Sequence, residues 1–164
     1  MVQLKRPQSY FIGHQSPITS ISINKNYSIA LSTDLNGLSI VWDMNKLQYL
    51  RTIKDEDPKC CLKLSTISDT LGDLAIVGYT YSGDQVVYSK LMVYTINGSF
   101  IGDITTERDD SYITSVCYST ATEGISINVI ATGHSNGDVK LWSSWDLTSV
   151  REIQLNSINC PITR

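Results

Sequence analysis

Apolar and polar residues trade places along this chain in short runs, and each run is closed by turn-forming residues. "ITSISI" (18–23), "SIALST" (28–33), "LSIVWD" (38–43) and "QYLRTI" (48–53) are the first four. Alternation with a period of two puts successive side chains on opposite faces of a strand. No segment between these runs shows helical spacing. Short strands at regular intervals predict an all-β fold.

The same order of runs recurs twice more, giving three units. The first has strands near 18–23, 28–33, 38–43 and 47–53. The second has them near 59–65, 73–79, 88–95 and 99–104. The third has them near 112–118, 127–133, 138–143 and 149–155. The second strand of each unit is apolar almost throughout: "IAL" (29–31), "LAIV" (74–77) and "VIA" (129–131). Such runs imply burial on both faces. In the third strand Leu38, Ile40 and Trp42 face one way, and Ser39 and Val41 the other.

"NGLSIVWD" (36–43) returns as "NGDVKLWS" (136–143), and "KLMVYT" (90–95) is a degenerate copy between them, with Tyr94 in the place of the tryptophan. The copies are about 50 residues apart, a little above the roughly 40–45 of a typical four-stranded blade. Four strands followed by a restart mark a propeller blade. The expected organisation is blade one at 14–53, a degenerate blade two at 54–104 and blade three at 105–155. Residues 1–13 would supply the last strand of a preceding blade, through "SYFI" (9–12). Residues 156–164 would begin a truncated next blade, because "CPITR" (160–164) repeats "SPITS" (16–20). The fold class is therefore about three four-stranded blades of an incomplete β-propeller. Asn36-Gly37 and Asn136-Gly137 predict type I′ hairpin turns, Asn97-Gly98 another hairpin turn, and the connection from Tyr79 to Tyr88 a longer loop.

Composition narrows the function classes. Hydrophobic residues make up 41% and charged residues 18% of the 164, and the net charge is −3. That balance argues against a nucleic-acid partner, which calls for excess Lys and Arg. No apolar run approaches the roughly 20 residues of a membrane helix, and "MVQLKRPQSY" (1–10) lacks the apolar stretch of a secretory leader. Cys60, Cys61, Cys117 and Cys160 show no ligand spacing and are expected as buried free thiols in a reducing compartment. With two histidines in the chain, no metal site and no cofactor are expected. The sequons at Asn26 and Asn97 are read as chance matches.

At this point the residues resemble a known family. Gly13-His14 followed by Trp42-Asp43 is similar to the WD-repeat pattern. The resemblance implies a hydrogen-bonded chain of a histidine, a serine or threonine, an aspartate and a tryptophan within a blade. It assigns His14, Ser32 and Trp42 to the first blade, with Asn36 at the aspartate position, and Trp142 with Asn136 to the third. Asn without a charge implies a weaker network. Gly133-His134 looks like the Gly-His motif but lies at the end of a second strand, where His134 is expected to be exposed or packed on a loop. The second blade has neither His nor Trp and is expected to rest on burial of 74–77 and 91–94.

A narrower resemblance is carried by "EGISINVIATGHSNGDVKLWSSWDLTSVREI" (123–153), "YSIALSTDLNGLSIVWDMNKLQYLRTI" (27–53) and "ISDTLGDLAIVG" (67–78). These are similar to late WD repeats of BEACH-domain proteins, nearest to the lysosomal trafficking regulator branch, with neurobeachin-like siblings sharing much of the wording. The resemblance implies a C-terminal fragment, with the remaining blades and a BEACH domain in cis.

A catalytic site needs a nucleophile, a base and an orienting group together, and no such set is found. "GYTYSG" (78–83) is no phosphate loop, because no Lys-Ser/Thr follows it. The expected function is a non-catalytic protein–protein interaction scaffold in vesicle- and lysosome-related membrane trafficking. It would be cytoplasmic and at most peripheral to endosomal or lysosomal membranes through the full-length protein. A WD adaptor recruiting substrates in another pathway, such as ubiquitin ligation, is the alternative. Candidate partner-binding loops carry Asp55, Glu56 and Asp57, then Glu107, Asp109 and Asp110, on a face shared with Asp34 and Asp84. An acidic face of this kind suits a basic protein segment. Trp145 is a further candidate, as an exposed recognition aromatic.

Overall fold

A computed structural model describes residues 11–55, 57, 59–107, 111–119, 128–154 and 161–162. Its strands form three four-stranded antiparallel meanders, and no helix occurs among the described residues. The first sheet holds β1 (Ile18–Asn24), β2 (Ile29–Asp34), β3 (Leu38–Asp43) and β4 (Gln48–Lys54). The second holds β5 (Cys60–Ile67), β6 (Leu74–Ser82), β7 (Gln85–Tyr94) and β8 (Phe100–Glu107). The third holds β9 (Ile113–Tyr118), β10 (Val129–His134), β11 (Val139–Ser143) and β12 (Ser149–Ile153).

The pleat decides which neighbour each side chain meets. Ile29, Leu31 and Val41 of the first sheet pack with Leu62, Leu74, Ile76 and Met92 of the second. The opposite face of the second sheet, with Ala75, Val77, Leu91 and Val93, packs on Ile113, Ile130 and Trp142 of the third. Both faces of β6 are thus covered, which is why "LAIV" is continuously apolar. The apolar second and third strands occupy the middle of each sheet, and the polar fourth strand lies at its outer edge. Trp42, Ile40 and Ala30 form a smaller cluster on the far face of the first sheet.

Hydroxyls and amides on the inner strands tie neighbouring sheets together. Thr19 Oγ1 donates to the Leu62 carbonyl at 2.9 Å, Ser22 Oγ to the Ser65 carbonyl at 2.6 Å, and Asn24 Nδ2 to the Ser68 carbonyl at 2.7 Å. The third sheet repeats the first of these contacts: Thr114 Oγ1 donates to the Ile162 carbonyl at 2.7 Å, and Ile162 N–H donates to the His134 carbonyl at 3.2 Å. On the other side, the Phe11 ring lies 4.8 Å from the Trp42 ring. Ser9 and Tyr10 of "SYFI", and the rest of the 156–164 segment apart from 161–162, lie outside the described residues.

Two turn expectations are corrected. Among the non-glycine residues with positive φ, neither Asn36 nor Asn136 appears; the left-handed residues are Gly37 (φ +79) and Gly137 (φ +92). Gly37 N–H donates to the Asp34 carbonyl at 3.4 Å and Gly137 N–H to that of His134 at 3.1 Å. Each connection is a type I turn closed by a left-handed glycine, not a type I′ turn. The second correction concerns Tyr79 to Tyr88. β6 and β7 continue pairing past these residues to Ser82 and Gln85, so the segment is a projecting hairpin with Gly83 (φ +63) at its tip.

Candidate interaction surfaces

Three blades put three different constructions at the same position. In the first, Trp42 Nε1–H donates to Ser32 Oγ at 2.8 Å, and Ser32 Oγ lies 2.7 Å from His14 Nε2. His14 Nδ1 lies 2.7 Å from Asp34 Oδ2. With the tryptophan donating to Ser32, the hydroxyl proton points to Nε2, which leaves Nδ1–H for the carboxylate. Asp34 Oδ1 in turn accepts the Asn36 and Leu38 N–H groups at 2.9 and 3.1 Å. The carboxylate is therefore Asp34 at the end of β2, not Asn36. Asn36 sits in the turn and contributes only its backbone to this chain of bonds. The weaker network expected from an asparagine is overturned with it.

The third blade keeps the tryptophan and moves the histidine. Trp142 Nε1–H donates to Thr132 Oγ1 at 2.9 Å, Thr132 Oγ1 lies 2.9 Å from His134 Nε2, and His134 Nδ1 lies 3.4 Å from Ser111 Oγ. His134 holds the seat of Asp34, and Ser111 bonds it from the strand-entry side as His14 does in the first blade. His134 is 0% exposed, which corrects the expectation of an exposed or loop-packed residue. Burial, then the nearby Lys140 charge, lowers its pKa from the usual imidazole value, so it serves as a neutral bridge. Asn136 stays outside the network; its Nδ2 donates to Asp138 Oδ2 at 2.6 Å across the turn.

In the second blade Tyr94 stands where the tryptophans stand, Ile76 replaces the hydroxyl, and Gly78 replaces Asp34 and His134. A Cβ on Gly78 would collide with Cys60 Sγ, and Leu62 and Met92 close the remaining space. Sulfur and aliphatic groups thus fill the volume that polar side chains fill on either side. Burial, reinforced by the neighbouring Asp55, pushes the Cys60 thiol up to about 12, so it stays protonated.

Asp34, Thr132, Ser111 and His134 were missed as network members. One signal was available: in both tryptophan-bearing blades the hydroxyl lies ten residues before the tryptophan and the next partner two residues after the hydroxyl. Ser111 carries no such signal, since its loop has no fixed spacing.

The meander topology sorts the partner-binding candidates onto two ends. Connections from second to third strands and between blades lie at one end; the other connections lie at the opposite end. Asp55, Asp57 and Asp84 belong to the first end, and Trp145, after β11, to the second. The structure therefore separates Trp145 from the acidic loops. Trp145 is 66% exposed, beside a hollow of about 310 Å³ lined by Leu71, Asp73, Thr95, Ile101 and Ser144. Asp34 is buried in its network and leaves the acidic face, whereas Asp84 is exposed at the hairpin tip. Asp57 Oδ2 accepts the Tyr88 hydroxyl at 2.7 Å, and this bond, then the Lys59 N–H, holds its carboxyl below the usual range. Glu56, Asp109 and Asp110 lie outside the described residues, and Glu107 is placed only as the last residue of β8. Among the described residues no group of His, Cys, Asp and Glu gathers as metal ligands would, and no helix is long and apolar enough to cross a membrane.

No family model matches the chain. It is 39% identical over 155 residues, 94% of its length, to the lysosomal-trafficking regulator of Homo sapiens. Over 87% of its length it is 26% identical to the Drosophila melanogaster protein of the same name, and over 79% it is 25% identical to Beige protein homolog 1 of Schizosaccharomyces pombe. The chain spans only 4% to 5% of the length of these relatives. Among solved structures, the RRP9 WD40 repeats superpose with a TM-score of 0.68 at 16% identity, covering 87% of this chain and 40% of that one. A computationally designed protein, Ika4, superposes with a TM-score of 0.64 at 21% identity, covering 98% and 85%. These likenesses show the fold.

Proposed function

From the homology of this WD-repeat propeller chain to the lysosomal-trafficking regulators and Beige proteins, we propose that it is a non-catalytic interaction scaffold acting in vesicle- and lysosome-related membrane trafficking. The observation that carries this reading is the 39% identity over 94% of the chain. The geometry supports it. Rigid stacked sheets hold loops and rims at set positions, which suits the display of binding residues on loops. The residues most apt for chemistry are already engaged: His14 and His134 sit inside blade networks, and the Cys60 thiol stays protonated.

The partner we propose is a basic protein segment, docked on the end that carries Asp55, Asp57 and Asp84. In the sequence Glu56 lies between Asp55 and Asp57, and Glu107, Asp109 and Asp110 lie between the second and third blades; their carboxylates would add to the field. Further blades and a BEACH domain are proposed in cis, and any membrane association would be peripheral and made through the longer protein.

The test is partner capture by the tagged chain with Asp57→Lys and Asp84→Lys. Neither residue lies in a blade network, so the fold should persist. Capture of wild-type partners should fall by about tenfold as attraction turns to repulsion. Unchanged capture would overturn docking on this face.

A further inference from the structure

We propose that the groove between the first and second blades binds the guanidinium of an arginine on that basic segment, with Asp55 as its buried anchor. The proposal rests on the scaffold reading and names the chemistry of one contact. The groove measures about 330 Å³ and is lined by Lys54, Asp55, Lys90, Tyr94, Phe100 and Asp103. It runs between the end of β4 and the outer pair β7–β8.

Asp55 is the unusual member. Its side chain is 2% exposed. Oδ1 accepts the Asp57 N–H at 3.0 Å and faces Lys90 Nζ at 3.8 Å. Oδ2 is buried and has no hydrogen-bond partner among the described residues. The Cys60 thiol, which bonds the Asp55 side chain, is only a weak donor. A buried carboxylate oxygen without a donor is costly. The nearby ammonium does not supply one: Lys90 Nζ faces the other oxygen, Oδ1, and at 3.8 Å is beyond hydrogen-bonding range even there.

A guanidinium fits what is missing. It carries five donors in a planar fork, so one edge can reach Oδ2 while Lys90 keeps to Oδ1. The Tyr94 and Phe100 rings, with centroids 5.3 Å apart, wall the groove, and the exposed Phe100 ring offers a face on which a guanidinium plane stacks. Asp103 is exposed and gives a second carboxylate at the mouth. Two aspartates and two lysines balance in charge, so the groove selects by fork and stacking rather than by net attraction. A lysine ammonium, a point charge without a plane, gains less here.

Two capped heptapeptides test this, alike in a glycine–lysine frame and differing only in a central arginine or lysine. Each is titrated calorimetrically into the 164-residue chain at low salt. The arginine peptide should bind about tenfold more tightly, in line with a forked charged hydrogen bond. Asp55→Asn keeps the shape and should erase the preference. Lys90→Gln keeps the anchor, removes the like charge that repels an incoming guanidinium, and should tighten the arginine peptide severalfold; it answers the question even if the asparagine variant unfolds. Equal affinities for the two peptides would overturn the arginine site and leave acidic docking standing. A preference that survives Asp55→Asn in a folded variant would remove Asp55 as the anchor, and weaker arginine binding in Lys90→Gln would overturn the site. Failure of both peptides to bind would overturn docking on this end altogether.

Discussion

Asp34 and His134 hold the same seat in two different blades. Each ends a second strand, two residues after the hydroxyl that accepts the tryptophan N–H, Ser32 in one blade and Thr132 in the other. One seat is filled by an acceptor and the other by a ring that both accepts and donates. The partner from the strand-entry side changes to match: the His14 ring bonds Asp34, and the Ser111 hydroxyl, which can donate or accept, bonds His134.

The first blade should therefore be sensitive at its hydroxyl. Ser32→Ala leaves the Trp42 N–H and the His14 nitrogen without their shared partner. A loss of about 1–3 kcal/mol is expected, read from urea unfolding of the variant against wild type. A change under about 0.5 kcal/mol would show that the chain of bonds contributes little.

His134 sets a pH dependence. Its pKa is lowered in the folded chain by burial, with Lys140 adding to the effect. The unfolded chain then binds the proton more readily, so the contribution is full above the unfolded value of about 6.5 and is lost as pH falls below it toward the folded value. Thermal melting between pH 7.5 and 5.5 should show Tm falling with pH, and His134→Gln should flatten that slope. An unchanged slope in the variant would place the titration elsewhere.

The sulfur-filled seat of the second blade predicts a coupled pair. Gly78→Ala drives a methyl group into Cys60 Sγ and should cost about 1–3 kcal/mol. Cys60→Ala clears that space, so the double variant should recover part of the loss. A double-mutant cycle gives the coupling; additive losses would mean the collision is relieved in some other way.

Thiol reactivity should follow exposure. The expectation of buried thiols holds for Cys60 and is corrected at the others described: Cys61 is intermediate and Cys117, on the edge strand β9, is exposed. With its thiol pushed up to about 12, Cys60 should resist iodoacetamide at pH 8 while Cys117 is modified first. Peptide mapping by mass spectrometry reads the order, and early modification of Cys60 would mean that the first two blades separate readily.

Trp145 should matter for contacts and not for folding. At 66% exposure, Trp145→Ala should leave Tm unchanged within experimental scatter, and its fluorescence should be open to acrylamide. A marked fall in Tm would place it in the packing of the rim.

Much of this architecture was legible in the chain because strand patterning is local. Period-two alternation and the continuous apolar runs of 29–31, 74–77 and 129–131 placed all twelve strands within a few residues, and the recurring order of runs grouped them by fours. Turn type was less legible. Asn-Gly marks a tight turn in several geometries, and the choice depended on which carbonyl Gly37 and Gly137 could reach.

What the sequence by itself determined is the repeat: where strands begin, which faces are apolar, and which residue types recur with the tryptophans. What only the tertiary structure decided is which polar atoms meet. Asn36 and Asp34 are both near the right place along the chain, and only the pleat, which turns residue 34 to the face of Ser32 and Trp42, chooses between them. The same is true of His134, whose role follows from Ser111 arriving across a loop. It holds too for Asp55, whose unpaired oxygen appears only once the second blade closes over it. Periodicity is written in neighbouring residues, whereas hydrogen-bond partners and desolvation are set by distances between segments far apart in the chain.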